Sequence, residues 1–506
     1  MKKFLLFFSL CFGILTIHAQ QPKFTSCAGC WNPDSLGNHR VVLSFKGSGE
    51  VAKANIEWRR SDSFPERKRI IVEDGATHKK ILNVKTGLIG NESGEIYFEP
   101  TSGPGTYYVY YMPYKNEGRS NYPKGVYLSP EHTANAGWLS KLTSTTPGKA
   151  TVTAFQSIDS FNTYYPMEII ATKAETNKLI SANRGRSFLV FPEDRLHSIR
   201  MKNYLPQRWI QRGALNTFKS RALKGENFAY QLGVYALSDL KDVRIQFTDL
   251  KSKNGRVISA KNMSCLNTGG TDYTGKPMSK RVDIDKGIVQ PMWCMIDIPE
   301  DLAEGIYKGV VTVRSGNSSR IINVELTVEN AEVVKNGVNE PWKMTRLKWL
   351  NSTMAQENTV IKPYIPLEVS GNEIKLLGRK VTVDNTGLPA QIQTYFTPEM
   401  TGYQSEPNNL LTEGIHFHFT RKDNGKDLAF KKEGVQFTLK QPGTVQWKAV
   451  NTSPEIRMEV AASLEFDGFV AYTVKVTALQ EIDFSNITMH IPFEKSDAKY
   501  MMGLGE

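Results

Sequence analysis

Residues 305–328 read GIYKGVVTVRSGNSSRIINVELTV, two runs of β-forming residues joined by Arg314-Ser315-Gly316-Asn317-Ser318-Ser319. In the second run Ile322, Val324, Leu326 and Val328 alternate with Asn323, Glu325 and Thr327, so a strand there buries one face and wets the other. The polar, glycine-containing connection makes the pair a hairpin, and its form predicts the last hairpin of an immunoglobulin-like sandwich. The same period of two recurs outward from this stretch. It appears at Val41, Leu43 and Phe45, at Phe228, Tyr230, Leu232 and Val234, and at Val243, Ile245 and Phe247. It returns at Val435, Phe437 and Leu439 and at Val445, Trp447 and Ala449. Turn signals punctuate these runs at Ser102-Gly103-Pro104-Gly105, Asn267-Thr268-Gly269-Gly270, Asp384-Asn385-Thr386-Gly387 and Asp423-Asn424-Gly425. Helical periodicity is confined to a short stretch at 136–142 and a single turn at Asp301-Leu302-Ala303-Glu304. The reading is an all-β chain of tandem antiparallel β-sandwich domains, immunoglobulin-like, with few short helices.

A chain of 506 residues is too long for one hydrophobic core. Three regions follow a leader: 21–212, an N-terminal β-sandwich; 213–332, the immunoglobulin-like sandwich; and 333–506, a third sandwich-like region. No period of 20–50 residues marks a repeat protein. Residues 1–20 read as a signal peptide, with Lys2 and Lys3 ahead of a short apolar run and Ala19 or Gln20 as the cleavage point. The run falls short of the roughly 20 residues a membrane span needs, and Leu10 before Cys11 is not the small residue that lipoprotein processing requires. A secreted or periplasmic chain is expected, in place at the cell surface or free, with no transmembrane segment after processing.

The formal charge is +12, or +10 once Lys2 and Lys3 leave, and it is spread along the chain. The densest run, Glu66-Arg67-Lys68-Arg69, reads as a solvated strand end. Export excludes nucleic acid as a partner class and leaves glycan, acidic glycan included, as the one to expect. Four cysteines remain after processing, Cys27, Cys30, Cys265 and Cys294, with three possible full pairings. Cys27-Ala28-Gly29-Cys30 has redox or zinc spacing but lacks a second Cys or His pair, so a local disulfide or plain thiols are expected.

Glycoside hydrolysis commonly needs two carboxylates. The candidates are Glu73-Asp74 and Glu300-Asp301, read as solvated turn acids, Glu193-Asp194 in an ion-paired linker, and Glu465 with Asp467, read as sharing one face of a strand. His416 and His418 are likewise two apart and could approach one metal ion, yet no third ligand is evident nearby, so exposed or ring-stacked histidines are expected. Tyr107, Tyr108, Tyr110, Tyr111 and Tyr114 divide between sugar-stacking platforms and core packing, with core the expectation. No G-x-S-x-G elbow, P-loop or H-E-x-x-H helix is present. No catalytic, cofactor-binding or metal-ligating residue is assigned, no cofactor is expected, and the substrate-binding residues stay open.

Several segments in order resemble the N-terminal region of large secreted Bacteroidetes proteins related to glycoside hydrolase family 123. They are Leu36 to Arg40, Trp58-Arg59-Arg60, Ser102 to Tyr111, Phe191 to Arg195, Gln231 to Tyr235, Asn267 to Asp272, Leu464 to Phe469 and Met501-Met502-Gly503-Leu504-Gly505. The resemblance implies β-sandwich domains preceding a (β/α)-barrel. It further implies exo-cleavage of β-linked N-acetylgalactosamine assisted by the substrate's acetamido group, with an adjacent Asp-Glu pair supplying an orienting carboxylate and a general acid/base. This sequence holds no Asp-Glu dipeptide in that order and no alternating β-α pattern. The expectation is therefore a non-catalytic region that supports or positions a glycan-hydrolysing domain absent from this chain, as in a truncated or split relative. Two alternatives stand beside it: a free-standing extracellular glycan-binding protein, and an active glycosidase, β-N-acetylgalactosaminidase-like, using acids such as Glu465 and Asp467.

Overall fold

The structure, a computed structural model, describes residues 22–353 and 358–500. The leader and the Met501 to Gly505 stretch lie outside the described residues. Contacts divide the chain into two compact units, one of residues up to Gly270 with Pro277–Asn351, the other of Thr271–Lys276 with Ser352 onward.

The first unit contains two sheet systems. An eight-stranded sheet runs in the order Ile71–Asp74, Gly105–Tyr110, His39–Phe45, Gly148–Ser157, Ala52–Ile56, Gly94–Phe98 and Val84–Ile89, with Lys23–Ser26 added on Gly148–Ser157. Its alternating positions Val41, Leu43, Phe45, Ile96, Phe98, Tyr107 and Val109 form one buried core. The second system is a sandwich. A four-stranded sheet (Phe188–Glu193, Asn227–Ala236, Val289–Asp297, Met263–Cys265) faces a six-stranded sheet built on Thr217–Lys224, Ser318–Glu332 and Gly305–Ser315. Phe228, Tyr230, Leu232, Val234, Tyr307, Val311, Val313, Ile322, Val324, Leu326 and Val328 fill the space between them. Gly305–Ser315 and Ser318–Glu332 pair as the expected antiparallel hairpin.

Three expectations need correction. The sheets are mixed: Thr217–Lys224 runs parallel to the strand from Asn323, and Lys23–Ser26 and Ala52–Ala54 run parallel to Gly148–Ser157. Nor is Asn227–Ala236 half-wet, since all of its residues are buried. Phe191 to Arg195 is no linker either. It contributes to the equally buried strand Phe188–Glu193, whose outer face is covered by Met167, Ala171, Ile199, Leu205 and Trp209. Trp209 stacks flat on Phe191 at 4.3 Å and donates its indole N–H to Glu193 Oε1 at 2.7 Å. Arg212 reaches the same oxygen at 2.7 Å. A Cβ on Gly233 would stand inside the Trp209 indole, which explains a glycine in mid-strand.

Helices are few and short. Asn135 caps Ala136–Ser144 by accepting from the Trp138 N–H. Lys173–Ala182, not expected from sequence, starts on a capping box between Thr172 and Glu175. Residues 300–301 make a turn and no helix. The single-turn stretches of 334–351 pack on the second sandwich, with Met344 and Leu347 against Leu266 and Met295. Lys68 departs from the solvated reading of its basic run: it is 8% exposed and ion-paired with Asp62.

In the second unit a five-stranded sheet spanning Glu368–Asn409 and a four-stranded sheet spanning Lys431–Ala478 enclose Ile374, Leu376, Val383, Val445, Trp447 and Leu464. Trp447 donates to the Gly387 carbonyl at 2.8 Å. A two-stranded sheet, His416–Arg421 with Phe484–His490, carries Phe419 against Ile456, Met458 and Val460.

Because Glu193 is 1% exposed and its charge is met by Arg212 and Trp209, Glu193→Ala strands the guanidinium and the indole N–H. Urea unfolding should show a loss of about 3 kcal/mol or more. The exposed Glu66→Ala, measured alongside, should stay within about 0.5 kcal/mol of the parent.

Candidate functional site

Glu300 and Asp301 are exposed turn acids, as expected, while several of the other candidate acids do fold-holding work. Glu73 and Asp74 are not solvated turn acids, because they end the strand Ile71–Asp74 and Asp74 is 1% exposed. Its carboxylate accepts from the N–H groups of Ala76 (2.9 Å) and Thr77 (3.1 Å) and from the Thr101 hydroxyl (2.7 Å). Burial pushes its pKa up, but these donors and Ser102 outweigh that and hold it at about 2. Glu193 is enclosed as described, and the adjacent Asp194 binds the His197 ring at 2.9 Å. Glu465 ends the strand Ile456–Glu465, whereas Asp467 lies exposed in the following turn, accepting from the Phe469 N–H at 2.8 Å. The two do not share a strand face, which corrects the expectation. Burial, then the neighbouring Asp467 charge, raises the Glu465 pKa.

Tyr107, Tyr110 and Tyr111 are core, as expected, while Tyr108 and Tyr114 are half-buried. Tyr111 also lines a concavity of the first unit, a cleft of 410 Å³. His39, Trp58, Arg60, Asp62, Tyr111 and Tyr164 line it, with Phe161, 94% exposed, at its rim. Trp58 and Tyr111 stack at 5.5 Å, and Arg60 lies over both rings. Arg60 holds Asp62 with two hydrogen bonds of 2.5 and 2.6 Å. Burial would raise the Asp62 pKa, but Arg60 and Lys68 prevail and lower it. Tyr111 and Tyr164 share a hydroxyl bond of 2.8 Å, and burial pushes Tyr111 up to about 12. Burial also lowers His39, whose Nε2 donates to the Asn162 carbonyl at 2.7 Å. Trp58, Tyr111 and Arg60 are themselves buried, at 5%, 2% and 6% exposure, which leaves Phe161 as the ring open to a ligand. Three of the segments quoted from the sequence, those holding His39, Trp58-Arg60 and Tyr111, converge on this cleft. The loop residues Phe161 and Tyr164 completing it carried no sequence signal.

His416 and His418 meet edge to face, with ring centroids 4.7 Å apart and planes at 74°. The third imidazole that the sequence did not reveal comes from His490, the cross-strand partner of His416. One ligand atom from each of the three lies within 4.8 Å of the others. Nothing local to residue 416 encodes that register. Cys27 and Cys30 form the local disulfide, and Cys265 and Cys294 are buried free thiols on paired strands. Burial, and then Cys265, pushes the Cys294 thiol well up.

Comparison with known proteins returns two family domains. Residues 29–158 match "Glycoside hydrolase 123, N-terminal domain" and residues 367–506 match "Glycoside hydrolase 123, third domain". Among solved structures, a family 123 glycoside hydrolase from Clostridium perfringens, studied for glycolipid glycan hydrolysis, is 21% identical with a TM-score of 0.23. The alignment covers 29% of this chain and 27% of that one, so this chain spans about a quarter of its length. The CooA pilin subunit of enterotoxigenic Escherichia coli aligns at 14% identity and a TM-score of 0.16, over 28% of this chain and 99% of its own. No curated protein matches the chain.

The Asp74 cage has a pH signature. Its folded-state pKa of about 2 lies below the ordinary 3.8, so its stabilisation is full above about pH 4 and is lost as pH falls toward 2. Denaturant midpoints measured from pH 5 to pH 2 should fall across that window. Asp74→Asn should start lower at pH 5 and show a shallower fall.

Proposed function

From its two glycoside hydrolase 123 domains, which make the chain glycoside-hydrolase-123-like, we propose that it is an exported, non-catalytic β-sandwich region that supports a glycan-hydrolysing domain. The observation that carries the reading is what the candidate acids do. Glu193 neutralises a guanidinium inside the fold, Asp74 closes a turn, and Asp467 caps a hairpin. A hydrolytic site needs carboxyl groups that face a sugar in an open site, and these three acids are directed instead at backbone and cationic groups of the chain itself. The test is turnover of an aryl N-acetyl-β-galactosaminide by the purified chain, with a full-length family 123 enzyme as positive control. No release above buffer is expected. Release that disappears in Glu465→Gln would overturn the reading.

The 410 Å³ cleft favours a second reading, in which the chain itself binds glycan. Its exposed Phe161 ring would take a sugar's apolar face. On a glycan array the parent chain should then retain hexosamine-containing ligands, and Phe161→Ala, which removes an exposed ring, should reduce retention about tenfold. Equal retention by both proteins would dismiss the cleft.

A further inference from the structure

The nearest ring nitrogens of His416 and His418, both Nε2, stand 3.0 Å apart. Their other nitrogens decide what that separation means. His416 Nδ1 lies 2.8 Å from the Gly414 carbonyl, which can only accept, so the hydrogen of a neutral ring sits on Nδ1 and Nε2 is bare. His418 Nδ1 lies 2.5 Å from Asp427 Oδ2, and the second oxygen of that carboxylate accepts from the Thr420 hydroxyl at 2.6 Å. In a neutral His418 ring the Nε2 is bare as well. Two lone pairs aimed at each other repel, and an electron-pair acceptor between them removes the conflict. The local fold keeps this arrangement in place. Gly425, at φ +66°, turns the chain so that Asp427 bridges back to Thr420 beside His418. Phe417 and Phe419 meanwhile alternate onto the opposite face of the strand, where they pack toward the core.

We propose that His416, His418 and His490 form a binding site for a divalent transition-metal ion of the zinc type, with Asp427 and the Gly414 carbonyl fixing the rings from outside. Tetrahedral ligands at a zinc–nitrogen length of 2.0–2.1 Å stand about 3.3 Å apart, close to the 3.0 Å found between His416 and His418. Imidazole ligands select zinc, copper or nickel over magnesium or calcium. A carboxylate or carbonyl on the far ring nitrogen is the usual outer partner of a metal-bound histidine. Three protein ligands leave a fourth position for water or an incoming donor atom. Since His490 belongs to the strand paired with that of His416 and His418, the ion would also clamp the two-stranded sheet. The site is independent of the glycan-related reading.

The test uses the full chain, stripped with chelator and titrated with Zn2+ by calorimetry, and with Co2+ by visible absorption. One ion per chain is expected, with a melting temperature raised by several degrees in excess Zn2+ and no uptake of Mg2+. Co2+ should give tetrahedral bands without the thiolate charge transfer that binding at Cys265 and Cys294 would produce. His490→Gln alters an exposed ring and should weaken Zn2+ binding at least tenfold, and Asp427→Asn should weaken it about 10- to 100-fold, with the far-ultraviolet circular dichroism of both unchanged. Absence of Zn2+ uptake by the parent, meaning that a shared proton alone joins His416 to His418, would overturn the proposal. So would uptake that His490→Gln and a His416→Gln/His418→Gln double variant leave unchanged.

Discussion

The Glu193 carboxylate sits at the end of a strand covered on both faces, and the layering of the first unit depends on how that charge is met. An ion taken out of water costs several kcal/mol unless donors replace its hydration. Trp209 and Arg212, both on the helix Gln207–Arg212, supply them. The same helix lays the Trp209 ring on Phe191 and over Gly233, so the polar contact and the apolar contact fix one another. The outcome is a three-layer arrangement: a six-stranded sheet, a four-stranded sheet, and a covering layer drawn from residues 165–210. Strands in the middle layer lose the alternation expected of a sheet with one wet face, because neither face is wet.

That is also where the sequence was hardest to read. The Gly305–Val328 hairpin and the strands around Val41 and Trp447 have one wet face each, and their period of two exposed them at once. Gln231-Leu232-Gly233-Val234-Tyr235 shows the same residues buried on both sides, a state that depends on a helix some twenty residues upstream. Parallel pairing leaves no local mark either, since the partner strand lies far along the chain. The Lys173–Ala182 helix was legible in principle from Thr172 and Glu175, three apart at its start. Its weakly amphipathic face hid it.

The candidate sites divide in the same way. His39, Trp58, Arg60 and Tyr111 stand in segments that could be quoted from the sequence, and strand pairing brings them together. Their meaning as one cleft needed the loop at 161–164. For the carboxylates the sequence read the surroundings of Glu300-Asp301 correctly, exposed in a turn, and misjudged others: Asp74, expected in water, is caged by four donors, and Asp467, expected on a strand, follows its end. His416 and His418 were paired by spacing alone, but His490 joins them through a register set 70 residues away.

The parallel match between Thr217–Lys224 and the strand beginning at Asn323 has a temporal side. A chain made from its N-terminus presents the earlier strand roughly a hundred residues before its neighbour arrives. Until then its amide edge lies open to any extended segment nearby, and local contacts cannot hasten closure. The length of that exposure comes from the order of strands along the gene.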